Sequence, residues 1–463
     1  MNNQAIYDVA VVGAGPAGCF FSGEAAKLGL KVVLMEKKKR AAFGHPWTDD
    51  VERAVFAQVG LPVPPTSEWD HPPAPSIALS ATGSQRKYLG SADVIPLAMV
   101  PFIQRLASEA QQAGVNIIDD ALVSNLQFKN HKLEKLSYYR AGQKHALSAK
   151  IFIDASGING ILRKQSGFDG RLGDELSDHD ICSAFRGTIY PEQQILLDFA
   201  ARHKYEGHIN YALLASRGSY SVQNLLLDLD QGSLDILIGF KKSFGRLAGQ
   251  EVQQFLTEAG LEKYKIHGGG GFIPIRQSLD QLVDHNFMII GDAACQVLAA
   301  HGSGVASALI AAKMAAATAA RVLEKGEADL HSLWPYNCEY QRGRGALMAY
   351  FRGSQILTES LRPEDAAWLI GSGLVTTSDF ENINSGQPIN PVAGLPSRIA
   401  AIIRRPKFCL DVLKRGVLAN TLMAHYRTYP LQPDKQALKN WQLKRDSLCA
   451  RIKTGGLDTI PCT

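Results

Sequence analysis

The chain has 463 residues, 46% of them hydrophobic and 20% charged, which is an ordinary globular composition with ample length for a large core in two or three lobes. A net charge of +5 permits contact with an acidic surface but gives no reason to expect a nucleic-acid partner, and no nucleic-acid motif is visible. The seven cysteines are scattered and odd in number, the usage of reduced thiols in a cytoplasmic protein, and their spacing offers no zinc-like pairing and no other metal site.

The first predicted element is a strand over Ile6–Val12, a β-branched run suited to a parallel strand buried on both faces. It starts so close to Met1 that no signal peptide is expected. Gly13, Gly15 and Gly18 follow in G-x-G-x-x-G spacing: a tight turn, a close backbone approach to a pyrophosphate, and a helix lying near the strand. Pro16 and Ala17 open that helix, whose free N–H groups favour phosphate charge. The helix stops at Gly29, and a second strand over 31–35 ends at Glu36, placed to accept hydrogen bonds from ribose hydroxyls. An acid there fits NAD or FAD and disfavours NADP. Lys37 begins a basic run that either touches phosphate or forms a solvated face.

Residues 62–75 carry six prolines and read as an arm, a lid or a mobile loop. A helix over 101–113 precedes a β-meander that includes Val123, a cofactor-binding candidate, and runs into the strand ending IFIDASG, residues 151–157. Further apolar strands between 181 and 244 predict an antiparallel second lobe, followed by a helix near 250–259. The run GGGGFIPIRQ then crosses back toward a strand at 287–290 that ends in GDAA. The alanine-rich helix after it, 304–323, is the best candidate for a membrane span, but Lys313 interrupts it and it reads as a packed helix. Beyond it the chain turns basic and aromatic, with helices to the end.

FMIIGDAACQVLAAHGSGVASALIAAKMAA, residues 287–316, resembles the second FAD fingerprint of the glutathione-reductase-like flavoproteins, and DASG, residues 154–157, resembles the middle motif of the same group. The resemblance implies FAD, with Asp154, Ala155 and Gly157 in the middle motif. It places Gly291 and Asp292 by the ribityl–pyrophosphate region and Gly302, Ser303, Gly304 and Val305 against the flavin. The chemistry agrees: glycine lets backbone reach a flat ring, and a helix start favours the negative charge of a reduced flavin.

Together with the meander before DASG and the sheet after it, the chain resembles the p-hydroxybenzoate-hydroxylase fold. Within that fold it is most similar to the geranylgeranyl reductase family, through EKKKRAAFGHPWTDDVE, GGGGFIPIRQ and HYRTYPLQPDKQALKNW. The implied architecture is α/β: a Rossmann-type FAD-binding domain (1–75, 101–180 and 268–330), an antiparallel substrate domain (76–100 and 181–267) and a helical C-terminal region (331–463). The implied reaction is reduction of a carbon–carbon double bond in a small apolar, isoprenoid substrate by hydride from reduced flavin. The alternatives are a flavin monooxygenase or halogenase-like tailoring enzyme, and a flavin electron carrier or complex subunit.

Three residues stand out as catalytic candidates. His301, beside Gly302, is placed to donate a proton or to hydrogen-bond the ring; His45 and Trp47, in GHPWTDD, either meet the flavin and substrate or simply pack. Asp49, Asp50 and Glu52 read as caps or solvating charges of a helix, and Cys295 as a small buried residue. There is no second G-x-G-x-x-G for a nicotinamide domain, so electrons come from transiently bound NAD(P)H, ferredoxin or a separate reductase. The segment with Arg404, Arg405, Lys407, Lys414, Arg415, Tyr426 and Tyr429 is a candidate for peripheral membrane contact or for an electron-donor protein, with a solvated helical face as the plainer alternative.

Overall fold

The structure is a computed structural model that describes residues 6–81, 83, 85–166, 176–216, 220–299, 302–390 and 394–455. Ile6–Val12 is the centre of the first sheet. It pairs in parallel with Val32–Met35 on one side and with the second half of Gln143–Asp154 on the other. Asn116–Ile118 and Phe287–Ile289 extend the parallel part outward, and Val283–Asp284 closes one edge antiparallel. Strands buried on both faces need continuous apolar runs, and Val9–Val11, Val32–Leu34 and Ile151–Ile153 supply them. Helix Pro16–Lys27 lies on these strands, flanked by Met99–Gln112 and the alanine-rich Val305–Lys325. The last is long and apolar enough to cross a membrane by length and composition, but 72% of its most apolar window is buried in the protein. The first half of Gln143–Asp154 leaves the parallel sheet to form the meander with Leu122–Lys129 and Lys132–Arg140.

The second sheet has seven strands, in the order His267–Pro274, Ile181–Ile189, Ser233–Lys241, Ser221–Asp228, Ile209–Leu214, Ser76–Leu79, Arg86–Gly90. All neighbours are antiparallel except Ile209–Leu214 and Ser76–Leu79, which run parallel. Leu225, Leu227, Leu234, Ile236, Ile238 and Phe240 point to one face and form a core with helices Gln193–His203 and Ala248–Ala259. The opposite face meets the helices after residue 330.

Four sequence expectations change. The glycine run is itself a strand: residues 268–274 pair with Ile181–Ile189 in the second sheet, whereas a division at 268 assigns them to the nucleotide domain. Asp49, Asp50 and Glu52 sit on strand Thr48–Glu52, paired with Val94–Ala98, and cap no helix. The proline-rich arm is tied down, with Trp69 Nε1 donating to the Pro64 carbonyl (3.0 Å) and Asp70 accepting from the Thr48 hydroxyl (2.6 Å). Tyr426 and Tyr429 are buried with Trp441, so they belong to the core and offer nothing to a surface.

Candidate cofactor and substrate cavity

A cavity of about 1760 Å³ runs from the glycine turn after Ile6–Val12 to the C-terminal helices. A site for one drug-sized ligand occupies about 300–1,000 Å³, so this one has room for a nucleotide and a second molecule.

The nucleotide end is built from backbone. Gly13 has φ +108°, and a Cβ there would stand 2.2 Å from the Ala155 carbonyl oxygen; one on Gly18 would stand 1.9 Å from the Gly13 oxygen. Gly18 therefore holds helix to strand without bordering the cavity, while Gly13 does border it. Gly15 is different, with nothing within 4 Å of its would-be Cβ. It caps helix Pro16–Lys27 without any side-chain hydrogen bond, leaving first-turn amides for an anion beside Pro16 and Ala17. Glu36 accepts the Ala14 N–H (2.9 Å) and the Lys38 N–H (3.0 Å), which fixes the carboxylate at the cavity wall with lone pairs to spare. Lys37 and Val123 line the same end, and the Ala121 N–H donates to the Glu36 carbonyl (2.9 Å).

Asp154 does not border the cavity. It is fully buried: one oxygen accepts the Ser156 N–H (3.0 Å) and hydroxyl (2.6 Å), and the other accepts the Arg163 N–H (2.8 Å). Its carboxylate is spent on the turn that presents Ala155 and Gly157 to the cavity, so it is a positioning residue rather than a cofactor contact.

Asp292, just after strand Phe287–Ile289, faces the cavity beside Gly291 and has no side-chain hydrogen-bond partner among the described residues. Burial, followed by the charge of Asp49, pushes its carboxyl up to about 6, with His45 acting in the opposite direction. The loop after it is cross-linked by Leu298 N–H to the Ser303 carbonyl and Gly302 N–H to the Leu298 carbonyl, both 2.8 Å. Gly302 takes φ +81°, and a Cβ on Gly304 would stand 3.1 Å from Asp292 Oδ1. Gly304 caps Val305–Lys325 with no side-chain hydrogen bond, so a second helix start opens on the cavity beside Ser303 and Val305. His301 lies outside the described residues. Two uncapped helix starts, an unpartnered carboxylate and open space at Gly15 are a donor and acceptor set that fits FAD.

Where the two sheets meet, the His45 ring stacks on Trp47 with centroids 3.9 Å apart, and its Nε2 lies 3.2 Å from Asp49 Oδ2. His45 Nδ1 is buried without a hydrogen-bond partner among the described residues. Trp47 lies on the glycine strand, where a Cβ on Gly269 would stand 3.0 Å from its ring, which gives the glycine run a packing reason. Arg186, which the sequence reading missed, ties the junction together. Its guanidinium donates to Asp235 (2.9 Å), Asp50 (3.3 Å) and the Thr48 carbonyl (3.1 Å). Burial alone would lower its pKa; Asp235 and Asp50 outweigh that and hold it charged. The available signal was an arginine at the same parity as Cys182 and Ala184 in an apolar strand.

The far end is apolar, and strand alternation explains it. Cys182 and Ala184, Ala212 and Leu214, Val222 and Leu226, and Leu237 and Gly239 face the cavity, while Phe185, Leu225, Leu227, Ile236, Ile238 and Phe240 at the alternate positions fill the opposite core. Small side chains at 184, 212 and 239 leave space. Polar side chains interrupt this lining at Asn210, Asn224, Gln355, Asn384 and Asn420, and the buried Oδ1 of Asn224 has no hydrogen-bond partner among the described residues. Helices Ala346–Glu359, Pro363–Ser372, Thr377–Asn384 and Pro406–Tyr426 roof this end with Phe351, Leu357, Ile370, Phe380, Val412 and Val417.

No known protein-family profile matches the chain. It is 23% identical over 451 residues to a digeranylgeranylglycerophospholipid reductase of Sulfolobus acidocaldarius, spanning 96% of this chain and 97% of the relative. It is 22% identical over 384 residues to the protein of the same name from Methanocella arvoryzae, 81% of this chain and 93% of that one. Among solved structures it matches a geranylgeranyl bacteriochlorophyll reductase-like protein of Thermoplasma acidophilum with a TM-score of 0.69 at 16% identity, covering 89% of this chain and 99% of the other. It also matches a flavin-dependent brominase with a TM-score of 0.59 at 16% identity, covering 87% and 100%. The chain is thus similar in sequence to isoprenoid-lipid reductases and has the α/β fold, with its Rossmann-type nucleotide domain, that flavin-dependent reductases and halogenases share.

Proposed function

We propose that this protein is an FAD-dependent oxidoreductase that reduces a carbon–carbon double bond of a long apolar, isoprenoid substrate. The observation that carries the reading is one continuous cavity with a nucleotide cradle at one end and a hydrocarbon-lined chamber at the other. The named relatives are isoprenoid-lipid reductases, which supports the same substrate class.

FAD, when bound and reduced, supplies the hydride for one alkene carbon. The chain supplies the rest. First-turn amides after Gly15 hold the pyrophosphate, Glu36 a ribose and Asp292 a ribityl hydroxyl. The start of Val305–Lys325 favours negative charge at the flavin. The apolar chamber excludes water from the reacting carbons. The His45–Asp49 pair at the cavity wall, joined through Nε2 and backed by Trp47, is the proton source for the second carbon. Free thiols at Cys19, Cys182, Cys295, Cys338, Cys409 and Cys449 support a reducing, cytoplasmic setting, and burial pushes the Cys295 thiol up to about 11, which makes it inert.

The test is anaerobic turnover. The flavin-loaded protein, reduced with dithionite and supplied with a geranylgeranyl lipid, should yield a product heavier by two hydrogens per double bond, read by mass spectrometry. Likeness to the brominase carries the second reading. Product that forms only in air, or that carries oxygen or halide, would establish that reading and remove the first.

A further inference from the structure

We infer that the hairpin of helices Leu395–Arg404 and Pro406–Tyr426 is a docking surface for an anionic lipid bilayer, and that the apolar chamber opens within it. The inference rests on the reductase reading only for what enters; the surface itself stands on geometry and charge.

Leu395, Ile399 and Ile403 follow one another at four-residue spacing, which puts them in one stripe on the first helix. Leu410, Leu413 and Val417 do the same on the second, at spacings of three and four. All six are exposed, Ile403 at 75% and Val417 at 65%, in two helices that pack against each other. Isolated exposed leucines need no explanation, but two adjacent apolar stripes mark an interaction surface.

Charge selects the occupant. These helices and Arg405 between them contain six lysines and arginines and a single acid, Asp411. Arg398 pairs with Asp379, Arg405 with Asp365 and Arg415 with Asp411. Arg404, Lys407 and Lys414 remain exposed, with no acidic partner among the described residues. An apolar surface rimmed by unpaired cations matches acyl chains beneath anionic headgroups. Tyr426 and Tyr429 take no part, being buried.

The chamber reaches the same surface. Leu413, Gly416, Val417 and Asn420 line the cavity, and Val417 and Asn420 are also exposed, so the cavity opens where the stripe lies. A chain held in the bilayer would pass from acyl layer to chamber without crossing water. That spares its hydrocarbon the cost of contact with water.

Co-sedimentation of the flavin-loaded protein with vesicles tests this. Binding should be strong to phosphatidylcholine mixed with phosphatidylglycerol and weak to phosphatidylcholine alone. Lys407→Glu and Lys414→Glu should each weaken binding at least about fivefold, the worth of one charge near an anionic surface. Ile403→Asp should weaken it at least about tenfold through lost apolar insertion. None of these side chains borders the cavity, so flavin content and turnover of detergent-dispersed alkene should stay at wild-type levels. Wild-type protein that ignores both vesicle types, or variants that bind as tightly as wild type, would overturn the inference. So would a dimer that Ile403→Asp dissociates, since a second copy would then cover the face. Vesicle binding without turnover of any alkene would keep the surface and remove the reductase reading; turnover in detergent without vesicle binding would remove only the surface.

Discussion

The two ends of the cavity are made in opposite ways. At the proposed nucleotide end the lining is backbone amides and glycine-shaped space, and each piece sits within a short motif: Gly13–Gly18, 154–157 and 291–305. At the apolar end no motif is continuous. The chamber exists because alternate residues of several strands are small while their neighbours are large, and because helices a hundred or more residues later roof it. Backbone recognition tolerates little substitution, whereas a hydrocarbon wall depends only on volume. The nucleotide end should therefore break under single-atom changes and the chamber should retune under large ones.

The largest expected effect is at Gly13. A valine there adds positive-φ strain to an overlap with the Ala155 backbone, together about 2–6 kcal/mol, a large part of the stability of a typical domain. Gly13→Val should lose both soluble protein and flavin. Gly15→Val, with open space beside it, should fold normally and still lose flavin about tenfold or more by blocking charge-assisted contacts. Thermal unfolding of the flavin-free proteins alongside flavin content separates the two; equal loss of fold would show that Gly15 serves packing and no phosphate.

Next comes the roof. Arg398 is buried, with its guanidinium on Asp379 at 2.9 and 2.7 Å and on the Leu374 carbonyl at 2.7 Å. Arg398→Met strands a fully buried carboxylate and should cost about 3–5 kcal/mol. The exposed pair Lys132–Glu327 should cost under about 1 kcal/mol when Lys132 is changed to Met. Chemical denaturation of both variants checks the contrast. A smaller change is expected from filling the chamber: Ala212→Trp should cost about 1–3 kcal/mol, leave flavin content unchanged and raise KM for a long isoprenoid far more than for a short one. Equal effects on both substrates would mean the long chain does not lie along Ala212.

The sequence was legible where function is local. The β-α-β start, with Glu36 just after its second strand, and the strand-to-turn step at Asp292 could be read as elements because apolar runs broken by glycine are local signals. The same local logic misassigned Asp154, since spacing cannot tell a carboxylate that meets a ligand from one that holds the turn beside it. It also misread the strand at 49–52, where acids that suggest a helix cap instead answer Arg186 and Arg344 from distant segments. The role of Arg186 was hidden although its parity was visible, because its partners lie 49, 136 and 138 residues away in the chain. The tied arm, the glycine strand under Trp47 and the roof share that character.

Asp292 lies at the cavity wall, and its predicted effect is small but the sharpest in sign. Its folded pKa of about 6 stands above the ordinary 3.8, because burial and the Asp49 charge oppose ionisation. As pH rises from about 4 to about 6, the unfolded chain has already released a proton that the folded one retains, so stability falls through this window and the full penalty persists above it. Asp292→Asn removes that penalty. The flavin-free variant should match wild type near pH 4 and exceed it at pH 7 by about 1–2 kcal/mol, the shift being discounted because the side chain faces a cavity that admits water. The same change exchanges a charged acceptor for a neutral one, so FAD should bind roughly tenfold more weakly at pH 7. A site built for a ligand should trade in this way, with the empty protein more stable and the loaded one weaker. If Asp292→Asn leaves the flavin-free melting temperature unchanged at pH 7 while FAD binding also holds, the carboxylate is neither strained nor in contact with cofactor, and the nucleotide end must be redrawn around Glu36 and the first helix alone.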